Sequence, residues 1–373
     1  MKNVNFLTGE SDIFVGKRRT LKRYLVCSLQ GYFPVCVKTG PNSMAAVFRT
    51  GGPHVGISAT LAVSVSEDGG KSWSDPVEVV PRWQDARNPA FGYTSDGRLI
   101  LSFWKAGLTN YRLDEYGKVW NRNMTEEEKL KASKTPSFFI MESTNKGKTW
   151  SEPKTFTTQV LLPVFLSPYG RIIEAPDGTL LMPAYGNPKE PIDGVRDASI
   201  LIRSKDGGKT WGDESIVAYG YNETSYVFLP DGTLVAAARS DKGQNLAILR
   251  SSDNGYTWSK PIQVTRDMEH PADLTLLNSG KLLMTFGRRI RPMGCGALIS
   301  CDGGLTWDYD KEVLLAGDGI LNGDLGYPST VQLDDGKIVT LLYYASGSQM
   351  SAGHFGWGDV SCQAIHYYEE DIT

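Results

Sequence analysis

Three short segments carry residue types that can act on a polar ligand. Asn222-Glu223 precedes an apolar run, an Asp231-Gly232 turn and Ala238-Arg239-Ser240. Gly287-Arg288-Arg289 puts two guanidinium groups side by side, and Gly326-Tyr327-Pro328-Ser329 adds a phenol. An arginine fork grips an anion through two parallel hydrogen bonds, a carboxylate exchanges protons, and aromatic rings offer apolar faces for stacking. Such side chains act together only if the fold carries them to one place. The elements that position them therefore decide the reading.

Those elements repeat. Ser66 to Trp73 reads SEDGGKSW, Ser204 to Trp211 SKDGGKTW, Ser251 to Trp258 SSDNGYTW and Ser300 to Trp307 SCDGGLTW. A fifth copy, STNKGKTW, runs from Ser143 to Trp150 with Asn145 in the Asp place. The pattern S-x-D-x-G-x-[TS]-W suits a hairpin tip. The aspartate accepts turn N–H groups, the glycine supplies a positive φ, and the tryptophan packs beneath. One fixed carboxylate per copy is too few for a calcium loop. A second repeat interleaves with the first: β runs joined at Asp96-Gly97, Asp177-Gly178, Asp231-Gly232, Ser279-Gly280 and Asp335-Gly336, which are hairpin signals. Phe33 to Arg49 reads as the same unit, with its tip at Gly40-Pro41-Asn42-Ser43.

Each module is thus four antiparallel strands, at about 222–229, 233–240, 245–251 and 258–264 in the module of Asn222. The fold class is all-β. Six modules form one six-bladed β-propeller spanning 1–373, its ring closed by an N-terminal strand near Lys22 to Ser28. Both repeated turns fall on one face. The starts of strand 1 and the ends of strand 2 then converge on the axis at the other face, where a ligand site belongs. Strand-1 starts supply Asp85, Arg87, Asn88, Tyr169, Arg171, Asn222, Glu223, His270, Asp273 and Tyr327. Strand-2 ends supply Arg49, Trp104, Tyr185, Arg239, one of Arg288 and Arg289, and one of Tyr343 and Tyr344. Alternation favours Arg289 over Arg288. The set suits a sugar with a negative or polyhydroxylated face. The one long insertion, 105–136, leaves strand 2 of the second blade on the site face, with a short helix expected at Thr125 to Ala132.

Composition narrows the partners. A net charge of −3 gives no reason to expect nucleic acid, and no apolar run approaches the roughly 20 residues of a membrane span. Four histidines and five cysteines without C-x-x-C spacing leave no basis for a zinc centre, and no cofactor or metal is expected. The cysteines are read as thiols in a reducing compartment. No signal peptide is visible, so a cytoplasmic location is expected.

The octets and the segments around Glu223, Arg239, Arg289 and Tyr327 resemble the sialidase superfamily from about Tyr32 to Tyr368. The resemblance implies that Glu223 is the base that activates a tyrosine nucleophile, Tyr327. It also implies that Arg239 and Arg289 belong to a three-arginine clamp for a substrate carboxylate. Arg49, Arg87, Arg171 and His270 are further candidates for substrate binding. Two departures stand out. Tyr32-Phe33-Pro34-Val35 has Phe33 where the first clamp arginine belongs, and Thr50 to Ser58 lacks the expected acid but contains His54. The general acid is therefore sought among Asp85, Asp273 and His54, in that order. If Tyr327 only binds, Glu223 with Asp85 or Asp273 could run an inverting reaction. The reading is an exo-acting glycoside hydrolase cleaving a terminal sugar from a glycan, with the two departures arguing against sialic acid as that sugar. The alternatives are a carbohydrate-binding propeller without turnover and a lyase of uronic-acid polymers.

Overall fold

The structure of the protein is a computed structural model. It describes residues 9–15, 17–28, 31–52, 54, 59–80, 86–105, 111–113, 119–121, 138–317, 323–345 and 360–373. Six antiparallel blades surround an axis. In blade 4 the strands are Tyr221–Phe228, Leu234–Ser240, Leu246–Ser251 and Ile262–Gln263, the first three close to the expected bounds and the fourth only two residues long instead of running over 258–264. The second strands are buried along most of their length, so they read as runs of small and apolar residues (Leu234-Val235-Ala236-Ala237-Ala238) instead of alternating. Between neighbouring blades the side chains interlock. Val35, Val47 and Leu61 of blade 1, for instance, share a core with Phe91, Leu101 and Met141 of blade 2.

The ring closes as expected. Lys17–Cys27 pairs with the last strand, Val360–Tyr367, giving blade 6 its outer strand. The N-terminal segment does more than this. Gly9–Val15 forms a hairpin with Lys17–Cys27 and also pairs with blade 5 through Phe14 and Leu314. Blades 5 and 6 are thereby joined into one nine-stranded sheet.

The octets form the turns their chemistry predicts. Asp253 Oδ1 accepts from Ser251 Oγ at 2.7 Å and Thr257 N at 2.9 Å, and its Oδ2 accepts from the Thr257 hydroxyl at 2.6 Å. Trp258 Nε1 donates to Gly255 O at 3.0 Å, tucking the ring under the turn. In the degenerate copy Asn145 accepts from Thr149 N through Oδ1 and donates to its hydroxyl through Nδ2, so the turn survives without the charge.

Blade 3 departs from the expected layout. Its first strand starts at Leu161, with Leu161–Pro168 followed by a jog and then Ile173–Glu174. Tyr169 and Arg171 therefore lie partway down the strand and not at its start. Within the insertion the described residues form a small hairpin, Tyr111–Leu113 with Val119–Asn121. The helix expected at Thr125 to Ala132 lies outside the described residues, as does Asp85.

Candidate active site

Five of the six innermost strands begin with the same irregularity. Two residues of strand 1 face one residue of strand 2 at Phe33-Pro34, Asn88-Pro89, Asn222-Glu223, His270-Pro271 and Tyr327-Pro328. A bulge of this kind bends its strand and re-aims a side chain. Proline fits the second place because the extra residue has no ladder partner to receive an N–H. Phe33, Asn88 and Tyr327 take φ values of 52°, 38° and 50°, a left-handed backbone that persists only where the surroundings enforce it. Beside Tyr327, Gly326 has φ 97°, and a Cβ there would come within 2.7 Å of Gly287 Cα. Only glycine allows the two backbones to meet so closely, which fixes where the tyrosine starts. Blade 4 alone of these five carries a carboxylate, Glu223, where the other four carry proline.

A cavity of about 510 Å³ opens among these strand ends. Phe33, His54 and Tyr327 line it from blades 1 and 6, and Arg87, Asn88 and Trp104 line it from blade 2. Blade 3 contributes Tyr185, Asn187, Arg196 and Asp197, and blade 4 contributes Glu223.

Tyr327, Glu223 and Arg239 form one chain of contacts. The Tyr327 hydroxyl donates to Glu223 Oε1 at 2.5 Å, and Arg239 Nη1 donates to Oε2 at 2.5 Å. Arg239 Nη2 reaches Gln244 Oε1 at 2.6 Å. Burial and then the Glu223 charge push the Tyr327 phenol well above its ordinary range, against the pull of Arg239 and Arg289. The phenol is therefore protonated at neutral pH. It can attack only as its proton passes to Glu223. For Arg239, burial disfavours the charge, but the neighbouring Glu223 outweighs it and keeps the guanidinium ionised.

A second contact chain lies beside the first. His54 Nδ1 is 2.8 Å from Asp324 Oδ1, and the Tyr343 hydroxyl donates to the same oxygen at 2.6 Å. The imidazole packs edge-on against Phe33 (4.7 Å between ring centroids) and Tyr32 (5.6 Å). Burial pushes the Asp324 carboxyl up, but His54, Tyr343 and Arg289 together hold it below the usual range.

Blades 3 and 4 supply a carboxylate pair. Arg196 Nη2 bridges Asp197 and Asp241 at 2.9 Å each, and Asn222 Nδ2 donates to both, at 3.0 and 2.6 Å. Burial, followed by the Asp197 charge, raises the Asp241 carboxyl. Asp197, Asp241 and Asp324 were not singled out from the sequence. All three sit on loops: Asp197 and Asp241 between strands 2 and 3, and Asp324 just ahead of blade 6. A signal was present in the polar residues of those site-face loops.

Several expected site residues lie elsewhere. Arg171 and Asp273 pair across the channel at 2.9 Å, below the cavity, because the early start of blade 3 carries Arg171 down the axis. Asp273 also accepts from Thr330 N at 2.6 Å and the Ser225 hydroxyl at 3.1 Å; burial raises its carboxyl and Arg171 opposes the shift. Arg49 is fully buried and donates to Ala86 O at 2.6 Å. His270 is buried too, and that burial, with Arg289 and Arg239 nearby, drives the imidazole far below its ordinary range and keeps it neutral. Arg289 donates to the ring and carbonyl of His270 and to Gly323 O (2.8 Å) and Leu325 O (3.2 Å). Arg87 does line the cavity, 5.7 Å from the centre of the Trp104 ring. Among the described residues no group of three or more His, Cys, Asp or Glu side chains is placed to hold a metal ion.

Over 318 residues the chain is 27% identical to a sialidase of Bacteroides fragilis strain YCH46, which is 78% of this chain and 55% of that protein. It thus spans about half the length of that relative. A protein of unknown function from Dyadobacter fermentans DSM 18053 has the same fold, with a TM-score of 0.73 and 21% identity over 92% of this chain and 97% of that one. A Hadza microbial sialidase superposes with a TM-score of 0.66 and 20% identity over 96% of this chain and 70% of its own. The family model of the BNR repeat-like domain matches residues 44–340, and the chain belongs to that family, a six-bladed propeller of the sialidase superfamily.

Proposed function

We propose that the protein is an exo-acting glycoside hydrolase that removes a terminal sugar other than sialic acid from a glycan, with Tyr327 as nucleophile and Glu223 as its base. One observation carries this reading: the Tyr327–Glu223–Arg239 chain at the cavity, with 2.5 Å between hydroxyl and carboxylate and again between carboxylate and guanidinium. That geometry suits a phenol which loses its proton as it bonds to the anomeric carbon. The relative from Bacteroides fragilis, a sialidase, supports the reaction class. Three features favour a sugar without a carboxylate. The resemblance puts Phe33 in the place of one clamp arginine, Arg289 is engaged by backbone carbonyls, and Arg239 faces Glu223 and Gln244. Of the polar groups that line the cavity, Asn88, Asn187, Ser167 and Asp197 suit hydroxyl and amide groups, and Arg87 and Arg196 are the two guanidinium groups among them.

The test is a panel of aryl glycosides and natural oligosaccharides, sialosides included, assayed for released sugar with the wild type, Tyr327→Phe and Glu223→Gln. Release from a neutral glycoside, lost in both variants, is the expected result. Release from sialosides alone overturns the substrate assignment. Binding without release makes the protein a carbohydrate-binding propeller, and an unsaturated product absorbing in the ultraviolet makes it a lyase.

A further inference from the structure

We propose that His54 is the general acid of this site and that Asp324 is its positioning residue. The inference rests on the hydrolase reading above. His54 lines the same cavity as Tyr327 and Glu223 and comes from a different blade, so it can meet the sugar from another side. Its Nδ1 is 2.8 Å from Asp324 Oδ1. An ionised carboxylate only accepts hydrogen bonds, so Nδ1 carries the hydrogen and Nε2 is the nitrogen left to exchange a proton. Asp324 is itself held from three directions. Tyr343 donates to its Oδ1, and Arg289 grips the carbonyls of Gly323 and Leu325 on either side of it. Arg289 thus braces the loop that carries the carboxylate. Asp324 and the rings of Phe33 and Tyr32 face the imidazole, with Tyr343 behind Asp324.

The steps balance. As the glycosidic bond breaks, its electron pair passes to the leaving oxygen, which takes the proton of His54 Nε2. Tyr327 bonds to the anomeric carbon and gives its proton to Glu223. In the second half, neutral His54 takes a proton from water as that water displaces Tyr327, and Glu223 returns the proton to the phenol. Asp324 holds the ring throughout by accepting from Nδ1.

Two measurements test this. The first compares kcat/KM of His54→Gln on a 4-nitrophenyl glycoside, whose leaving group needs no proton, with that on an unactivated disaccharide of the same sugar. Loss of an order of 10² to 10⁴ on the disaccharide is expected, with roughly wild-type rates on the nitrophenyl substrate. Equal losses on both overturn the acid role. The second follows the imidazoles by ¹⁵N NMR, the His54 signal being the one missing from His54→Gln. In neutral wild-type protein the hydrogen should sit on Nδ1, and Asp324→Asn should lose more kcat/KM on the disaccharide than on the nitrophenyl glycoside. Hydrogen on Nε2 alone, or equal losses on the two substrates in Asp324→Asn, overturns the positioning role, and the wild-type tautomer decides it even if Asp324→Asn fails to fold. Absence of turnover across the whole panel refutes the hydrolase reading and the acid role with it. Turnover without the leaving-group split refutes the acid role alone.

Discussion

Tyr327 and Glu223 share one proton across 2.5 Å, and this contact predicts how their substitutions combine. Tyr327→Phe removes the nucleophilic oxygen but keeps the ring among Phe33, Tyr169 and Tyr343 (centroid distances of 4.8, 6.2 and 5.7 Å), and Glu223 keeps Arg239 as partner. Glu223→Gln leaves one amide oxygen for two donors, Tyr327 and Arg239. Losing a base or its partner typically costs a factor of about 10² to 10⁴ in turnover, or roughly 2.7 to 5.4 kcal/mol of barrier. If the two acted separately, the double variant would lose about 10⁴ to 10⁸. Because neither works without the other, the double variant should be no slower than the worse single variant. The assay is kcat/KM for all four proteins on the best aryl glycoside, with melting temperature as the control for folding. Glu223→Gln should melt lower than Tyr327→Phe, since it strips the charge partner from a buried arginine. Additive losses, or an undiminished rate in Tyr327→Phe, refute the nucleophile–base reading.

Three further outcomes follow from the same contacts. Asp273→Ala should destabilise by about 3 to 5 kcal/mol, because Arg171, Thr330 N and the Ser225 hydroxyl all lose their buried acceptor; unfolding in denaturant measures the loss, and kcat of the folded protein should not change. Asp253→Ala removes the acceptor for Ser251 and for both Thr257 donors on the face opposite the cavity, so melting should fall while kcat/KM stays at the wild-type value. Hydrogen bonds from Thr210, Thr257 and Thr306 lower the carboxyls of Asp206, Asp253 and Asp302 to about 2. Stability from these groups is present above the ordinary carboxyl range near pH 4 and is lost as pH falls through about 2. Burial raises Asp241, Glu269 and Asp273, whose contribution has the opposite sign and is lost as pH rises through their raised values. Melting temperature should thus peak at mildly acidic pH and fall steeply below about pH 4; a flat profile refutes the assignment.

What was legible in the sequence is what local chemistry decides. An Asp-x-Gly turn over a tryptophan specifies its own geometry within eight residues, and alternating copies of two hairpins admit one closed ring. Glu223, Arg239 and Tyr327 were legible because they sit at the ends of strands that can be counted from the turn, even though Glu223 and Tyr327 lie at bulges. The recurrent X-Pro at four of the five bulges was equally open to inspection, and it marks where strand 1 turns its side chains towards the axis. The third blade escaped this counting, because Leu161–Pro168 and Ile173–Glu174 together make one broken strand. Arg171 and Asp273 therefore read as rim residues although they meet deep in the channel.

Direction along a strand is a local property, whereas the partner of a side chain is not. Arg288 and Arg289 show the difference. Alternation separates the two: Arg288 turns to Glu312 at 2.9 Å, and Arg289 turns to the loop of Asp324. No local pattern announces that this loop, and not a ligand, receives the guanidinium. The same holds for His54 and Asp324, which are 270 residues apart and meet only because the ring brings blade 1 beside blade 6. A closed propeller concentrates such meetings at its axis: Glu223 and Tyr327 come from strands that can be counted, while His54 and Asp324 come from loops that cannot. On the proposed reading, with Phe33 and His54 where the resemblance puts an arginine and an acid, a histidine–carboxylate contact stands next to the tyrosine–carboxylate one. That combination is chemically coherent: a clamp for a substrate carboxylate is dispensable when the sugar carries none, whereas a proton for the leaving oxygen is still required.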